Sequence, residues 1–208
     1  MTPAHRPGPG RPIDRAKRDA ILLATRKLIN AKGLSLTIDD VADHAGVARQ
    51  TVYNAFGGKD QLIAAVIGES VAMMVHPLAD PALAGDMRQT LRELGRRYVE
   101  MVFQPQSIAL ARAMIAQGER GRRAVELFFR DGPEQAYASL RAFLDQRCAA
   151  GELDIADLDQ AVEHFYGLLR GTAHFRLTMG AIDPLDAAAL QRRVDAGVEA
   201  FLRAYALR

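Results

Sequence analysis

Leu34-Ser-Leu-Thr-Ile-Asp-Asp-Val-Ala-Asp-His-Ala-Gly-Val-Ala-Arg-Gln-Thr-Val-Tyr-Asn-Ala-Phe-Gly-Gly-Lys-Asp-Gln-Leu62 holds two short helical patterns joined by a glycine turn, the grammar of a helix-turn-helix. Thr37 can cap a first helix, and Ile38, Val41 and Ala42 fall at i, i+3 and i+4, which puts them on one buried face. Gly46 comes where that helix must stop and the chain reverse sharply, a positive-φ conformation that costs glycine little. Ala42 is small where two helices would cross closely. A second helix starts near Ala48, turns Val52 and Phe56 inward at i and i+4, and leaves Arg49, Gln50, Thr51, Tyr53 and Asn54 mostly outside. Such a face can read base edges: Arg forks onto guanine and Gln or Asn onto adenine, which makes Arg49, Gln50 and Asn54 the candidate base contacts. The competing reading is a solvated polar face on an ordinary helical hairpin, because short matches to this motif are common by chance.

The flanking sequence weighs against chance. Ahead of the motif, Ile21, Ala24, Thr25, Leu28 and Ile29 fall at i, i+3, i+4, i+7 and i+8 and end at Lys32-Gly33, which supplies the third wall of a small core. Residues 13 to 67 together resemble the TetR family of bacterial transcription regulators. The likeness is carried by the helix over 21–31, by Gly33 and Thr37, and by Ile38-x-x-Val41-Ala42-x-x-Ala45-Gly46-Val47. It continues through Thr51-Val52-Tyr53-x-x-Phe56 and Lys59-Asp60-x-Leu62. Two positions depart from the family's pattern without disturbing its register: Gly57-Gly58 replaces a more usual Pro or Gly with a polar residue, and Ala55 stands where an aromatic or charged group is frequent. The resemblance implies that Thr51 and Tyr53 touch the DNA backbone. Thr37 and Lys59 are expected to join them, since each lies at a helix start whose free amides favour a phosphate.

Charge is divided along the chain in the same sense. The net charge is only +2, but residues 1–60 hold 10 Lys and Arg against 6 Asp and Glu, leaving 17 against 19 for the rest. His5-Arg6-Pro7-Gly8-Pro9-Gly10-Arg11-Pro12 cannot be helical and reads as a mobile basic arm over 1–12. Gly10-Arg11-Pro12 resembles the core of an AT-hook, so Arg6 and Arg11 are candidates for an A·T minor groove; the alternative is a basic tail that adds only nonspecific affinity. No unbroken run of about 18 apolar residues is present and no apolar stretch follows the N-terminal basic residues, so neither a membrane span nor a secretory signal is expected. A cytoplasmic, nucleoid-associated location follows. The single cysteine, Cys148, excludes an internal disulfide and lies in an apolar helical pattern, where it reads as core before it reads as a redox sensor.

Beyond the head the pattern is helical throughout, and the expected fold is all-α: a three-helix DNA-binding domain over 13–58 and a helical effector-binding and dimerisation domain over 59–208, about nine to ten helices in all. Helices are expected over 59–75, around the stripe Met87, Leu91, Leu94, Tyr98, Met101 and Val102, then over 108–117, 125–129 and 133–149, with Pro105 as a breaker. Residues 157–179 are apolar nearly all round and so should be covered on every side. A last helix over 184–206 aligns Leu190, Val194, Gly197, Val198, Phe201 and Tyr205, and Gly167, Gly171 and Gly197 suggest close helix contact. TetR-family proteins dimerise through their last two long helices, so Phe165, Leu169, Thr172, Val194, Gly197, Val198 and Phe201 are candidates for a homodimer interface; the alternative is a purely intramolecular core. A two-fold dimer would set two recognition helices about 34 Å apart, in reach of palindromic half-sites on an operator.

The middle of the chain resembles the AefR-like C-terminal subgroup at Arg112-Ala-Met-Ile-Ala-Gln-Gly-Glu-Arg, Phe128-Phe-Arg-Asp-Gly-Pro133 and Phe165-Tyr-Gly-Leu-Leu-Arg-Gly171; the resemblance implies an effector-binding half and no single ligand, and a small, largely apolar molecule entering between helices is expected. Its candidate walls are Tyr98, Met101, Met114, Phe128, Tyr137, Phe165, Tyr166, His174 and Phe175, with His164 or Arg170 as further polar anchors, although each also fits plain core. Enzymatic signatures are missing: the five histidines contain no i, i+4 pair, and no nucleophile elbow, phosphate loop or dinucleotide fingerprint occurs. No catalytic residue, metal or cofactor is expected. The reading is a ligand-responsive repressor, and the alternative is a ligand-independent or architectural DNA-binding factor with the same head.

Overall fold

The computed structural model describes residues 15–207. Arg6 and Arg11, with the rest of the expected basic arm, lie outside the described residues. Among the described residues there are ten α-helices and no strand, only an isolated antiparallel bridge between Leu153 and Ala206. The chain divides into two compact units, with the division between Ile63 and Ala64, inside the fourth helix.

The first unit contains α1 (Arg15–Lys32), α2 (Ile38–Ala45), α3 (Arg49–Phe56) and the start of α4 (Lys59–Val75). Its core is the one that the periodicity outlines: Ile21, Ala24, Leu28, Ile38, Val41, Ala42 and Val52 are buried. Leu22, Leu36 and Leu62 join it, and Leu36 and Leu62 are wholly inaccessible. Both flank the helices whose spacing was read, so periodicity within a helix does not register them. Thr25 is also buried, its hydroxyl donating to the Ile21 carbonyl at 2.7 Å, one turn back. Phe56 is only half-buried and carries the Arg18 guanidinium over its ring at 4.5 Å.

The second unit completes α4 and adds α5 (Met87–Val102), α6 (Pro105–Gln117), α7 (Arg122–Asp131), α8 (Pro133–Ala149), α9 (Leu158–Thr178) and α10 (Ala187–Tyr205). Pro105 opens α6 rather than merely ending α5: it occupies the first turn, where its missing N–H would have had no partner in any case. Leu91, Leu94, Val99, Leu140, Leu144, Val162, Phe165, Leu169, Val198 and Phe201 form the centre of one continuous core. Leu169 is the wedge between three helices. A Cβ on Gly95 of α5 would stand 3.3 Å from its Cδ1, and a Cβ on Gly197 of α10 2.9 Å from its Cδ2. The chain end is tied down as well, since Asp154 N donates to Tyr205 O at 2.8 Å and Leu207 N to Glu152 O at 3.3 Å.

Three expectations are corrected. Phe165, Leu169, Val194, Gly197, Val198 and Phe201, read as partner-facing, are covered by this chain's own helices, and Leu169, Val198 and Phe201 expose no surface at all. Thr172 alone of that set is exposed. In turn α9 is not covered all round: Leu168, Phe175 and Met179, the residue that follows the helix, lie 41%, 67% and 66% exposed. Of the three glycines expected at close contacts, Gly197 is at one, Gly171 meets an arginine side chain, and Gly167 has nothing within 4 Å. Lys59–Ala79 is long and apolar enough by composition to cross a membrane, at mean hydropathy 1.7, although Gly68, Glu69 and Ser70 interrupt it; in this fold Leu62, Ile63, Ala64, Val66, Val71 and Met74 are buried core positions.

Removing the wedge should therefore be expensive. Leu169→Ala is expected to lower unfolding free energy by about 2 to 5 kcal/mol, read from the shift in a urea unfolding midpoint at constant m-value.

Candidate nucleic-acid interface

The head is built by two sharp backbone devices. Gly46 takes φ 65°, ψ 35° at the end of α2, its N–H directed at the Ala42 and Asp43 carbonyls, and this reversal aims α3 across α2. Gly57 does the same after α3, at φ 83°, with its N–H on the Tyr53 carbonyl at 2.8 Å. At the front of α2 a reciprocal capping box closes: Asp40 N donates to Thr37 Oγ1 at 3.1 Å, and Thr37 N donates to Asp40 Oδ2 at 2.8 Å. The Thr37 hydroxyl donates to the same oxygen at 2.9 Å, and Lys32 Nζ reaches the other at 2.6 Å. The Lys32 ammonium first, and the Thr37 backbone and hydroxyl after it, hold the Asp40 carboxyl down at about 2. An acid three residues after a threonine is the signal for this box, and it went unread in the sequence because Thr37 was read only as a simple cap.

The expected base contacts lie together on the exposed side of α3, and each is already engaged. Arg49 Nη1 stands 3.3 Å from the Asp39 carboxylate, and Nη2 lies 3.5 Å from Tyr53 Oη, with the guanidinium 5.6 Å from that ring's centre. Tyr53 first and Asp39 second raise the Arg49 pKa above its ordinary value, so it is a permanent cation. Gln50 Nε2 donates to Asn54 Oδ1 at 2.9 Å, one turn along the same face. Thr51 is half-buried at the edge of that face, Tyr53 is 37% exposed, and Lys59 is half-buried in the first turn of α4. The Thr37 hydroxyl, expected to meet a phosphate, is occupied by Asp40; the box engages the amides of Thr37 and Asp40 and does not engage those of Ile38 and Asp39.

In the second unit the residues expected around a ligand separate into groups. Tyr166 is the hub of one: its ring centre lies 4.6 Å from Tyr98, 5.1 Å from Tyr137 in a stacked pair only 9° from parallel, and 5.5 Å from Phe165. Burial pushes the Tyr98 hydroxyl up to about 12, and burial pushes Tyr166 further. Phe165 is fully buried and continues into Phe201, so it is core. His174 meets the Phe103 ring edge-on at 5.5 Å and is held below its ordinary pKa, first by burial and then by the Arg170 charge. Phe128 pairs with Phe129 on α7; Met101 and Met114 are half-buried, and Phe175 points outward. His164, the other anchor considered, is taken by Tyr205 Oη at 2.6 Å.

Comparison with known proteins covers both units. The family model described as bacterial regulatory proteins, tetR family, matches residues 21–66, and that described as AefR-like transcriptional repressor, C-terminal domain, matches 89–207. A curated relative, the uncharacterized HTH-type transcriptional regulator YvaF of Bacillus subtilis (strain 168), is 41% identical over 54 residues, which span 26% of this chain and 28% of that protein. A crystal structure of a chain assigned to the TetR family from Mesorhizobium loti MAFF303099 superposes with TM-score 0.75 at 24% identity, over 93% of this chain and 100% of its own. The flavonoid-responsive regulator FrrA superposes with TM-score 0.66 at 28% identity, over 92% and 98%. A TetR transcriptional regulator from Agrobacterium tumefaciens does so at 0.69 and 23%, over 92% and 95%.

The capping box gives the head a pH signature. A carboxyl lowered on folding contributes stability above its unfolded pKa of 3.8, and that contribution is lost as pH falls toward about 2. An NMR titration of Asp40 should find its midpoint near 2, and Lys32→Ala should return it toward 3.8; a midpoint at 3.8 in the unaltered protein would contradict the box.

Proposed function

The chain belongs to the TetR family of bacterial transcriptional regulators and is a DNA-binding protein, and from that premise we propose that it is a homodimeric repressor released from a palindromic operator when a small, largely apolar molecule binds its C-terminal unit. The observation that carries the reading is the outward face of α3, where Arg49, Gln50 and Asn54 are aligned above a core closed by Val52. Arg49 suits guanine and the Gln50–Asn54 pair suits adenine. Lys59, Thr51 and Tyr53 frame them on the phosphates, joined by the first-turn amides of α2 beside Thr37. The family and fold are those of transcriptional regulators rather than enzymes.

The partner-facing surface is assigned to the uncovered side of α9, with Leu168, Thr172, Phe175 and Met179 at its centre, since the residues of the inner side are used up within one chain. The ligand is assigned to the surroundings of Arg170, whose charge bears on Tyr98, Tyr137 and His174 alike. FrrA responds to flavonoids by its name, and aromatic surroundings of this kind suit a ring-bearing ligand in the same way. Transmission runs through α4, which passes the junction of α7 and α8 at close range: a Cβ on Gly132 would stand 2.9 Å from Ile67 Cγ2, and one on Gly68 3.5 Å from the Asp131 carbonyl. A ligand that favours one setting of this junction shifts the α4 equilibrium, and a difference of about 1 to 3 kcal/mol suffices for release.

Selection of bound fragments from random DNA supplies the operator for the test. Arg49→Ala should relax preference at one base position by about 1 to 3 kcal/mol, whereas Lys59→Ala should weaken all sequences evenly and flatten the salt dependence. Unchanged sequence preference in Arg49→Ala removes its base-reading role. Phe175→Glu, at an exposed site, should leave the helical content intact and convert the dimer to a monomer by light scattering; a dimer that persists removes the assigned face.

A further inference from the structure

α9 breaks at Gly171, where φ is 50° and ψ −166°. The guanidinium of Arg193, from α10, lies against the break, its Nη1 2.8 Å from where a Cβ on residue 171 would stand. Any other residue there would both strain the backbone and displace the arginine, so the glycine is what admits a guanidinium into the bend. On its other side the same group faces the Phe103 ring, 5.8 Å from its centre, and that ring in turn meets His174 at 5.5 Å. Its Nε is buried and, among the described residues, has no hydrogen-bond acceptor.

No acid of α10 answers this charge. Asp195 and Glu199 pair with Arg88 and Arg92 of α5 instead. Arg170, one residue before the break, adds positive charge at His174 and also bears on Tyr98 and Tyr137. Burying part of a guanidinium without an acceptor is costly, and a cation–π contact near the 6 Å limit offsets little of it. Nothing in the packing requires a cation between a glycine and a phenylalanine. Arg112 provides the contrast: its Nε and Nη2 cap the Thr178 and Leu177 carbonyls at 2.6 and 2.7 Å, so that arginine has a structural task.

We infer that Arg193 is the anchor for an organic acid: the ligand's carboxylate takes the Arg193 fork at the Gly171 bend, and its apolar body lies on Phe103, beside His174. A planar carboxylate matches the guanidinium fork, and the Phe103 ring favours a carbon skeleton over a bare inorganic anion. The inference rests on the reading of the C-terminal unit as effector-binding and names the chemical class it takes.

The test uses the full chain with benzoate, cinnamate and octanoate, each beside its primary amide, and with inorganic phosphate. Thermal shift and calorimetry should show binding by acids and not by amides or phosphate, weakened about tenfold or more in Arg193→Gln. A second variant is independent of the choice of acid. Arg193→Met should raise the melting temperature of the ligand-free protein by roughly 2 to 4 °C with the dimer mass unchanged, because a buried Nε–H without an acceptor is removed. The inference is overturned if no acid binds, if amides or phosphate bind equally, if Arg193→Gln retains affinity, or if Arg193→Met melts lower or dissociates, which would make the arginine a structural or partner-pairing group. Operator binding measured on the same preparations separates the two readings: intact DNA binding with no acid response sinks only this one.

Discussion

Three helices of the C-terminal unit can approach one another only because two of them lack side chains where the third presents Leu169. Gly95 and Gly197 bring the α5 and α10 backbones within contact of one leucine, and Val194 fills the remaining side. That approach fixes the directions of α5 and α10, and with them the ion pairs of Arg88 and Arg92 with Glu199 along their exposed seam. It also sets where α9 must pass. A helix held this tightly at Leu169 and capped by Arg112 at its far end accommodates its bend at the glycine between them.

The head was legible because its determinants are local. Cap, glycine turn and i, i+3, i+4 spacing all act within about ten residues, and such patterns survive in a sequence read without neighbours. The same held for most helix boundaries in the second unit, where Gly and Pro punctuate the chain. What periodicity could not say is what covers each face. An apolar residue at Phe165 and one at Phe175 look alike in the sequence, yet one is sealed by α10 and the other is two-thirds exposed. Periodicity therefore does not separate a face sealed within the chain from one left outside. The break at Gly171 was hidden for a related reason: a glycine in a helical pattern announces weak propensity, not whether the chain bends there or merely passes another helix.

The candidate site shows a similar division. Spacing identified which α3 side chains face outward, but not that they are joined to each other and to α2. Asp39 lies in the first turn of α2, ten residues before the arginine that it also pairs with. The pair is exposed on both sides and contributes little to stability. Its effect is on conformation, since it narrows the rotamers that Arg49 samples before any partner arrives.

The Gln50–Asn54 hydrogen bond has a direction, and direction carries meaning on a reading face. With the Gln50 amide nitrogen given to the Asn54 oxygen, the pair turns an acceptor outward from position 50 and donors outward from position 54. Reversing that order requires both amides to turn over together. On the proposed reading the two residues meet the operator as one joined donor–acceptor group and not as two independent side chains.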